Sequence, residues 1–81
     1  MKKADLRQAI VLVRAYSNAL NESAACEEFH NFYNFVGERE NRTFERGLIV
    51  SVLFDGTNMG LSEETIIEML EIAGLCEKED E

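Results

Sequence analysis

The sequence predicts an all-α fold, either a small four-helix bundle or an orthogonal array of helices. Three observations predict it: complete start and stop signals for a helix between Ser62 and Leu75, a wide apolar stripe at helical spacing near the start, and the lack of a convincing pair of strands. The chain has no proline, and its apolar and charged fractions, 46% and 30%, are those of a globular protein. We predict one helical domain over residues 1–76 and an acidic tail over residues 77–81 that frays into solvent.

The first helix is predicted from Ala4 to Leu20, because apolar residues recur there at spacings of three, four and seven. A stripe this wide exceeds what one neighbouring helix covers, so we expect the first helix to contact two others. The central residues of the stripe are Leu6, Ile10, Val13 and Leu20, and it is widened by Ala9, Leu12, Tyr16 and Ala19.

The second helix is predicted from Glu22 to Val36. Asn21 can cap its first turn, and Gly37 is suited to close it. The charged residues 38–42 then form a connector or the exposed first turn of the next helix. The predicted core side of the second helix consists of Cys26, Phe29, Phe32, Tyr33 and Val36, with Cys26 as a small core residue.

The apolar run from Gly47 to Phe54 is ambiguous, since seven or eight residues suit either a helix or a strand. Thr43 can cap a helix here, and the rival strand partner, Ile10 to Val13, lies inside the first helix. We therefore predict a third helix that is buried on most sides. It should stop at the turn from Asp55 to Gly60, whose two glycines can adopt positive φ.

The fourth helix has the clearest end signals in the chain. Ser62 can cap its N-terminus, and Glu63 and Glu64 lie in the first turn, where the helix dipole favours carboxylates. Gly74 fits the left-handed position after the last turn, and Leu75 can fold back as in a Schellman motif. The predicted apolar face consists of Ile66, Ile67, Met69, Leu70 and Ala73.

Charge is the unusual feature of the composition. The net charge is −8, yet residues 1–20 carry +3 and residues 21–81 carry −11. Because phosphate binding needs clustered Lys and Arg, this distribution makes a nucleic-acid surface unlikely outside the first helix. A DNA-binding regulator that uses Lys2, Lys3, Arg7 and Arg14 remains the third-ranked alternative.

No pattern in the chain predicts catalysis, a cofactor or a metal. The Glu27 to His30 spacing could place a carboxylate and an imidazole on one metal, but the chain has a single histidine. Cys26 has no nearby second cysteine, as a structural zinc site would require. The segment from Asp55 to Ile66 resembles a calcium loop in spacing only, because Ile66 stands where the bidentate glutamate belongs. We therefore expect a protein that is not an enzyme and needs no cofactor.

Two cysteines lie fifty positions apart, and no secretory signal or membrane span is evident. These features predict a reduced, cytoplasmic setting. A chain of this size buries only about 60% of the surface that its unfolded form exposes, so dimerisation would add stability.

The leading functional expectation is a small acidic protein–protein interaction module or regulatory adaptor, and we expect the chain to form a homodimer. Phe35 is the candidate aromatic anchor for a partner. Glu64, Glu68 and Glu71 line one side of the fourth helix and predict a basic partner. The alternative is an acidic decoy that inhibits a basic nucleic-acid-binding protein, as small proteins of mobile elements do. No membrane partner is expected.

Overall fold

The computed structural model describes residues 1–77 and has four α-helices: α1 (Lys3–Ser17), α2 (Glu22–Arg39), α3 (Thr43–Asn58) and α4 (Glu63–Ile72). These 77 residues form no strand, and their single isolated β-bridge joins Lys2 to Glu77. The all-α prediction is confirmed, and the arrangement is a small helical array. Residues 78–81, most of the predicted tail, lie outside the described part, whereas the Glu77 amide donates a hydrogen bond to the Met1 carbonyl.

Helices α1 and α3 each pack against all three other helices, whereas α2 and α4 do not contact each other within residues 1–77. The α1–α2 contact is the most extensive, so α1 is the main packing element of the array. The breadth of its apolar stripe is thereby explained. The helix that carries the stripe ends at Ser17, however, and Leu20, which lies beyond it, is 96% exposed. Leu20 was wrongly assigned to the stripe, since α1 ends three residues earlier and the chain turns there toward α2. The fully buried residues of α1 are Leu6, Ala9, Ile10 and Val13.

Helix α2 begins as predicted and ends later. The Asn21 side chain accepts a hydrogen bond from the Ala24 amide at 2.8 Å, so the predicted cap is confirmed. Gly37 does not close the helix, because its backbone stays in the ordinary helical region and α2 continues to Arg39. The helix ends where Glu40 becomes extended, with φ −124° and ψ 103°.

The core side of α2 is centred on Phe32 and Val36, both fully buried. Cys26 is exposed, so its prediction as a core residue was wrong, and Tyr33 is 43% exposed. Residues 32 and 36 lie about 100° around the helix from the line through 26 and 33, because each residue advances the direction by that angle. Phe29 is half-buried, and its ring lies 5.7 Å from that of Tyr16 on α1.

The apolar run is helical, as predicted, but α3 continues through Asn58 instead of stopping at Asp55. The predicted cap at Thr43 was wrong, because Thr43 is the first residue of the helix and Arg42, at the cap position, makes no side-chain capping hydrogen bond. Gly56 lies inside the helix and faces α4, where a Cβ atom would come within 2.9 Å of Ile66 Cγ1. A glycine is therefore needed there for close packing and not for a turn. The stop is supplied by Gly60, which has φ 77° and lies in a Schellman motif, with the Leu61 amide donating to the Gly56 carbonyl at 3.0 Å.

The end signals of α4 are confirmed. The Ser62 hydroxyl accepts a hydrogen bond from the Thr65 amide, and Gly74 has φ 76°, with the Leu75 amide donating to the Leu70 carbonyl at 2.8 Å. The apolar face is narrower than predicted. Its buried residues are Ile66, Ile67 and Leu70, whereas Met69 and Ala73, which were assigned to it, are exposed.

Candidate protein-binding surfaces

The bases of α1 lie against the carboxylates of α4. Arg7 Nη1 is 2.8 Å from Glu64 Oε1 and 3.2 Å from Glu63 Oε2, and Lys3 Nζ is 3.7 Å from Glu71 Oε1. The hydrogen bond that Arg7 donates to the Glu64 carboxylate is the main cause of the raised pKa of Arg7. These ion pairs are solvent-exposed and stabilise the fold little, but they place opposite charges at the α1–α4 contact. The charge asymmetry of the sequence is thus partly balanced inside the chain.

These ion pairs distinguish Glu68 from the other two glutamates of the predicted acidic site. Glu64 and Glu71 share their charges with α1, whereas Glu68 is exposed and forms no ion pair within residues 1–77. The same contacts engage Lys3 and Arg7, two of the four bases on which a nucleic-acid surface would depend.

A different part of α4 exposes apolar side chains. We define the α4 outer surface as Thr65, Glu68, Met69 and Ile72, all of which are exposed and lie opposite the buried face. Ile72 is 80% exposed and Met69 is 43% exposed. The sequence carried a signal for Ile72, because it follows the buried Leu70 by two positions and so points to the other side of the helix.

Phe35 is half-buried and packs against the core. The guanidinium carbon of Arg39 lies 3.7 Å from the centre of its ring, a cation–π contact that covers part of the remaining face. Arg39 Nε is also 3.4 Å from Asp5 Oδ1 on α1. Phe35 therefore presents less apolar surface than Ile72 or Phe44, which is 73% exposed.

A buried charge cluster closes the end of the molecule where the chain begins. The Met1 ammonium donates a hydrogen bond to the Leu75 carbonyl at 3.1 Å and lies 3.7 Å from Glu40 Oε1. Arg42 binds the Glu40 carboxylate with Nε and Nη2, both at 2.9 Å. Glu40 is only 4% exposed, and the hydrogen bonds from Arg42 lower its pKa to about 2, although burial alone would raise it.

Sequence reasoning missed this cluster. Residues 38–42 read as an ordinary charged connector, and no local pattern distinguishes Glu40 from Glu38. The cluster depends on three distant segments that meet only in the fold, so it joins the start of the chain to the ends of α2 and α4.

The residues considered for metal binding are not assembled into a site. Among residues 1–77, no group of three or more His, Cys, Asp or Glu side chains is arranged to hold a metal ion. Cys26 and His30 are both exposed on α2. Asp55 belongs to the last turn of α3. The segment from Asp55 to Ile66, whose spacing resembles that of a calcium loop, therefore begins as helix.

One shallow groove lies between α2 and α3, with a volume of 290 Å³ and a lining of Tyr33, Asn34, Gly37, Glu38 and Arg46. Its wide opening to solvent and mixed lining differ from the enclosed, mainly apolar clefts that hold small molecules. The exposed apolar residues of α3 and α4 are thus the features that stand out.

None of the helices within residues 1–77 is long and apolar enough to cross a membrane. Comparisons with protein-family models, with curated proteins and with solved structures gave no match.

Proposed function

We propose that this chain is a protein–protein interaction module, without catalytic activity, that uses the α4 outer surface to bind a partner with apolar and basic residues. The observation that supports the proposal is the exposure of Ile72 and Met69 beside the carboxylate of Glu68, which forms no ion pair within residues 1–77. We further propose that it acts in the cytoplasm, as a regulatory adaptor.

The apolar part of the surface supplies the binding free energy. Met69 and Ile72 are three residues apart and therefore lie side by side on the helix. Their exposed area would leave water when a partner packs on them, which is favourable by about 25 cal/mol per Å² of apolar surface. Long apolar side chains such as Met also adapt to partners of different shape.

The charged part supplies orientation. Residues 62–77 carry five glutamates and no base, and Glu68 lies one helical turn from Ile72. A basic residue on the partner would meet this carboxylate at the edge of the apolar contact, where charge chiefly sets specificity and association rate.

The acidic decoy is the second proposal, and it uses Glu64, Glu68 and Glu71 as a line of charge. The ion pairs of Glu64 with Arg7 and of Glu71 with Lys3 reduce the charge that this line offers to a partner. They favour a surface led by apolar contact over one led by charge. A DNA-binding role through α1 is disfavoured by the same two ion pairs.

The test is affinity capture from a lysate of the source cells with the tagged protein, washed at low and at high salt. We expect captured partners to survive high salt, because apolar contacts are screened little, and to be lost with Ile72→Asp. The matched control is Leu20→Asp, which places the same charge at an exposed leucine between α1 and α2. Equal capture by Ile72→Asp and the unaltered protein would overturn the proposed surface, and capture lost only at high salt would favour the decoy.

A further inference from the structure

Helix α3 has more apolar surface than the fold covers. We define the α3 outer surface as Phe44, Gly47, Leu48, Ser51 and Asp55, all exposed and all within one arc of the helix. Phe44 is 73% exposed and Leu48 is 40% exposed. A helix with apolar residues on every side is normally buried on every side, so this surface lacks a covering element within the described chain.

Gly47 is a second feature of the α3 outer surface that contacts within the described chain do not explain. A glycine inside a helix costs about 1 kcal/mol relative to alanine. At Gly56 the cost has a reason inside the fold, because a Cβ atom there would collide with Ile66. At Gly47 a Cβ atom would meet nothing within 4 Å, and the backbone does not have positive φ. Nothing in the described chain requires glycine at position 47, whereas the close approach of another helix would require it.

The charge around α3 suits a second copy of the same chain. Residues 41–61 carry Arg42 and Arg46 against Glu45 and Asp55, for a net charge of zero. By contrast, residues 62–81 carry eight acids and one base, for a net charge of −7. Two copies of a chain with net charge −8 would therefore repel each other least when they meet through α3.

The direction of packing follows from the helix ends. Asp55 lies in the last turn of α3, where the negative end of the helix dipole opposes it, and that turn has no basic residue. An antiparallel second copy brings the N-terminal, positive end of its own α3 next to this carboxylate. The two-fold symmetry makes the same contact twice.

We propose that two copies of this chain form a dimer through the α3 outer surface, with the helices antiparallel about a two-fold axis between Gly47 and Ser51. Gly47 of one copy then lies opposite Ser51 of the partner subunit, and these small residues let the backbones approach. Phe44 and Leu48 pack on either side of this contact. The dimer surface is distinct from the α4 outer surface, so each can fail without the other.

The size of the α3 outer surface determines the dimer affinity that we expect. Twelve residues of helix span about 18 Å, which is a small interface, so we expect a dissociation constant in the micromolar range and not a permanent dimer.

The test is sedimentation equilibrium over a protein concentration range of about 5 to 500 μM, chosen to bracket a micromolar dissociation constant. The mass should rise from 9.2 kDa toward twice that value. Gly47→Met should weaken self-association at least about tenfold, because the added side chain holds the backbones apart. Gln8→Met, which adds the same side chain to an exposed position on α1, and Ile72→Asp should both associate like the unaltered protein.

Circular dichroism should show that Gly47→Met keeps its helices, since methionine favours helix more than glycine does. A mass that stays at 9.2 kDa at every concentration would overturn the dimer. Unchanged self-association of Gly47→Met would also overturn it. If the unaltered chain is monomeric and Gly47→Met instead abolishes capture of a different protein, the α3 outer surface takes that protein and the second copy is excluded.

Discussion

The two sides of α3 each carry a glycine, and the two glycines differ in how closely the rest of the fold approaches them. On the inner side, Gly56 lies against Ile66 of α4 with no room for a Cβ atom. On the outer side, Gly47 lies two and a half turns away in open space. Phe44 and Leu48, near Gly47, are exposed, whereas Ile49 and Leu53 on the inner side are fully buried.

This difference separates residues that pack inside the fold from residues that remain exposed for contact with another molecule. The packing of Gly56 on Ile66 and the Glu40 cluster are contacts between residues of the described chain. The outer surfaces of α3 and α4 include four exposed apolar side chains that stabilise the monomer little: Phe44, Leu48, Met69 and Ile72. Substitutions on the two sides should therefore differ in size and in sign.

The largest effect is expected inside, at Glu40. Glu40→Gln leaves the buried Met1 ammonium without its carboxylate partner, which should lower the free energy of unfolding by about 3 kcal/mol in urea titrations. Glu38→Gln is the control, because Glu38 is 73% exposed and should change stability by less than about 0.5 kcal/mol. A small effect at Glu40 would show that the cluster does not hold the ends of the chain together.

The same carboxylate predicts a pH dependence. The pKa of Glu40 is about 2 in the folded chain against an ordinary value of 4.5, so its stabilising contribution is complete above pH 4.5 and is lost as pH falls toward 2. Urea titrations between pH 7 and pH 2.5 should show a steeper loss of stability for the unaltered protein than for Glu40→Gln. Parallel curves would contradict this assignment.

The next effect should arise at Gly56. Gly56→Met forces a side chain into the α3–α4 contact, where Ile66 is fully buried and cannot move aside, so stability should fall by about 2 kcal/mol. Thermal unfolding followed by circular dichroism would measure it. An unchanged midpoint would mean that the two helices can separate at no cost.

The same substitution on the outer side should have the opposite sign. Gly47→Met gains helix propensity and meets no atom of the monomer, so the free energy of unfolding should rise by about 0.5 kcal/mol in dilute protein. Urea titration at low micromolar concentration would detect it. Destabilisation at Gly47 as large as that at Gly56 would erase the distinction between the two sides.

The smallest effect on folding is expected at Ile72. Ile72→Asp should change stability by less than about 0.5 kcal/mol, because the side chain is 80% exposed. Leu70→Asp places the same charge two positions away in the core and should prevent stable folding. If Ile72→Asp also unfolded the protein, loss of capture by that variant would say nothing about binding.

Local signals gave the most reliable sequence predictions. The caps at Asn21 and Ser62 and the left-handed Gly74 depend on neighbouring residues only, and all three are confirmed. Gly37 and Gly56 were read as helix ends and lie inside helices. Glycine can serve close packing as well as turns, as it does at Gly56, whereas a Cβ atom at Gly37 would meet only the Arg46 side chain at an ordinary 3.7 Å. A single sequence does not contain the information that separates these two uses.

Contacts between distant segments were not predictable. Which side of α2 faces the core depends on how α1 and α3 pack, so Cys26 was placed in the core although it is exposed. The charge asymmetry was evident in the sequence, but its pairing across α1 and α4 required the fold. The exposed apolar surfaces could not be predicted for the same reason. The sequence shows that a residue is apolar, but whether another helix covers its side chain depends on the fold.

The most direct test of the central claim is the urea midpoint of the unaltered protein and of Gly47→Met, each measured over a hundredfold range of protein concentration. Association of folded chains stabilises them by mass action, so the midpoint of the unaltered protein should rise with concentration. The midpoint of Gly47→Met should start slightly higher and rise much less with concentration. Midpoints that are independent of concentration for both proteins would contradict the claim that the outer surface of α3 binds a second copy.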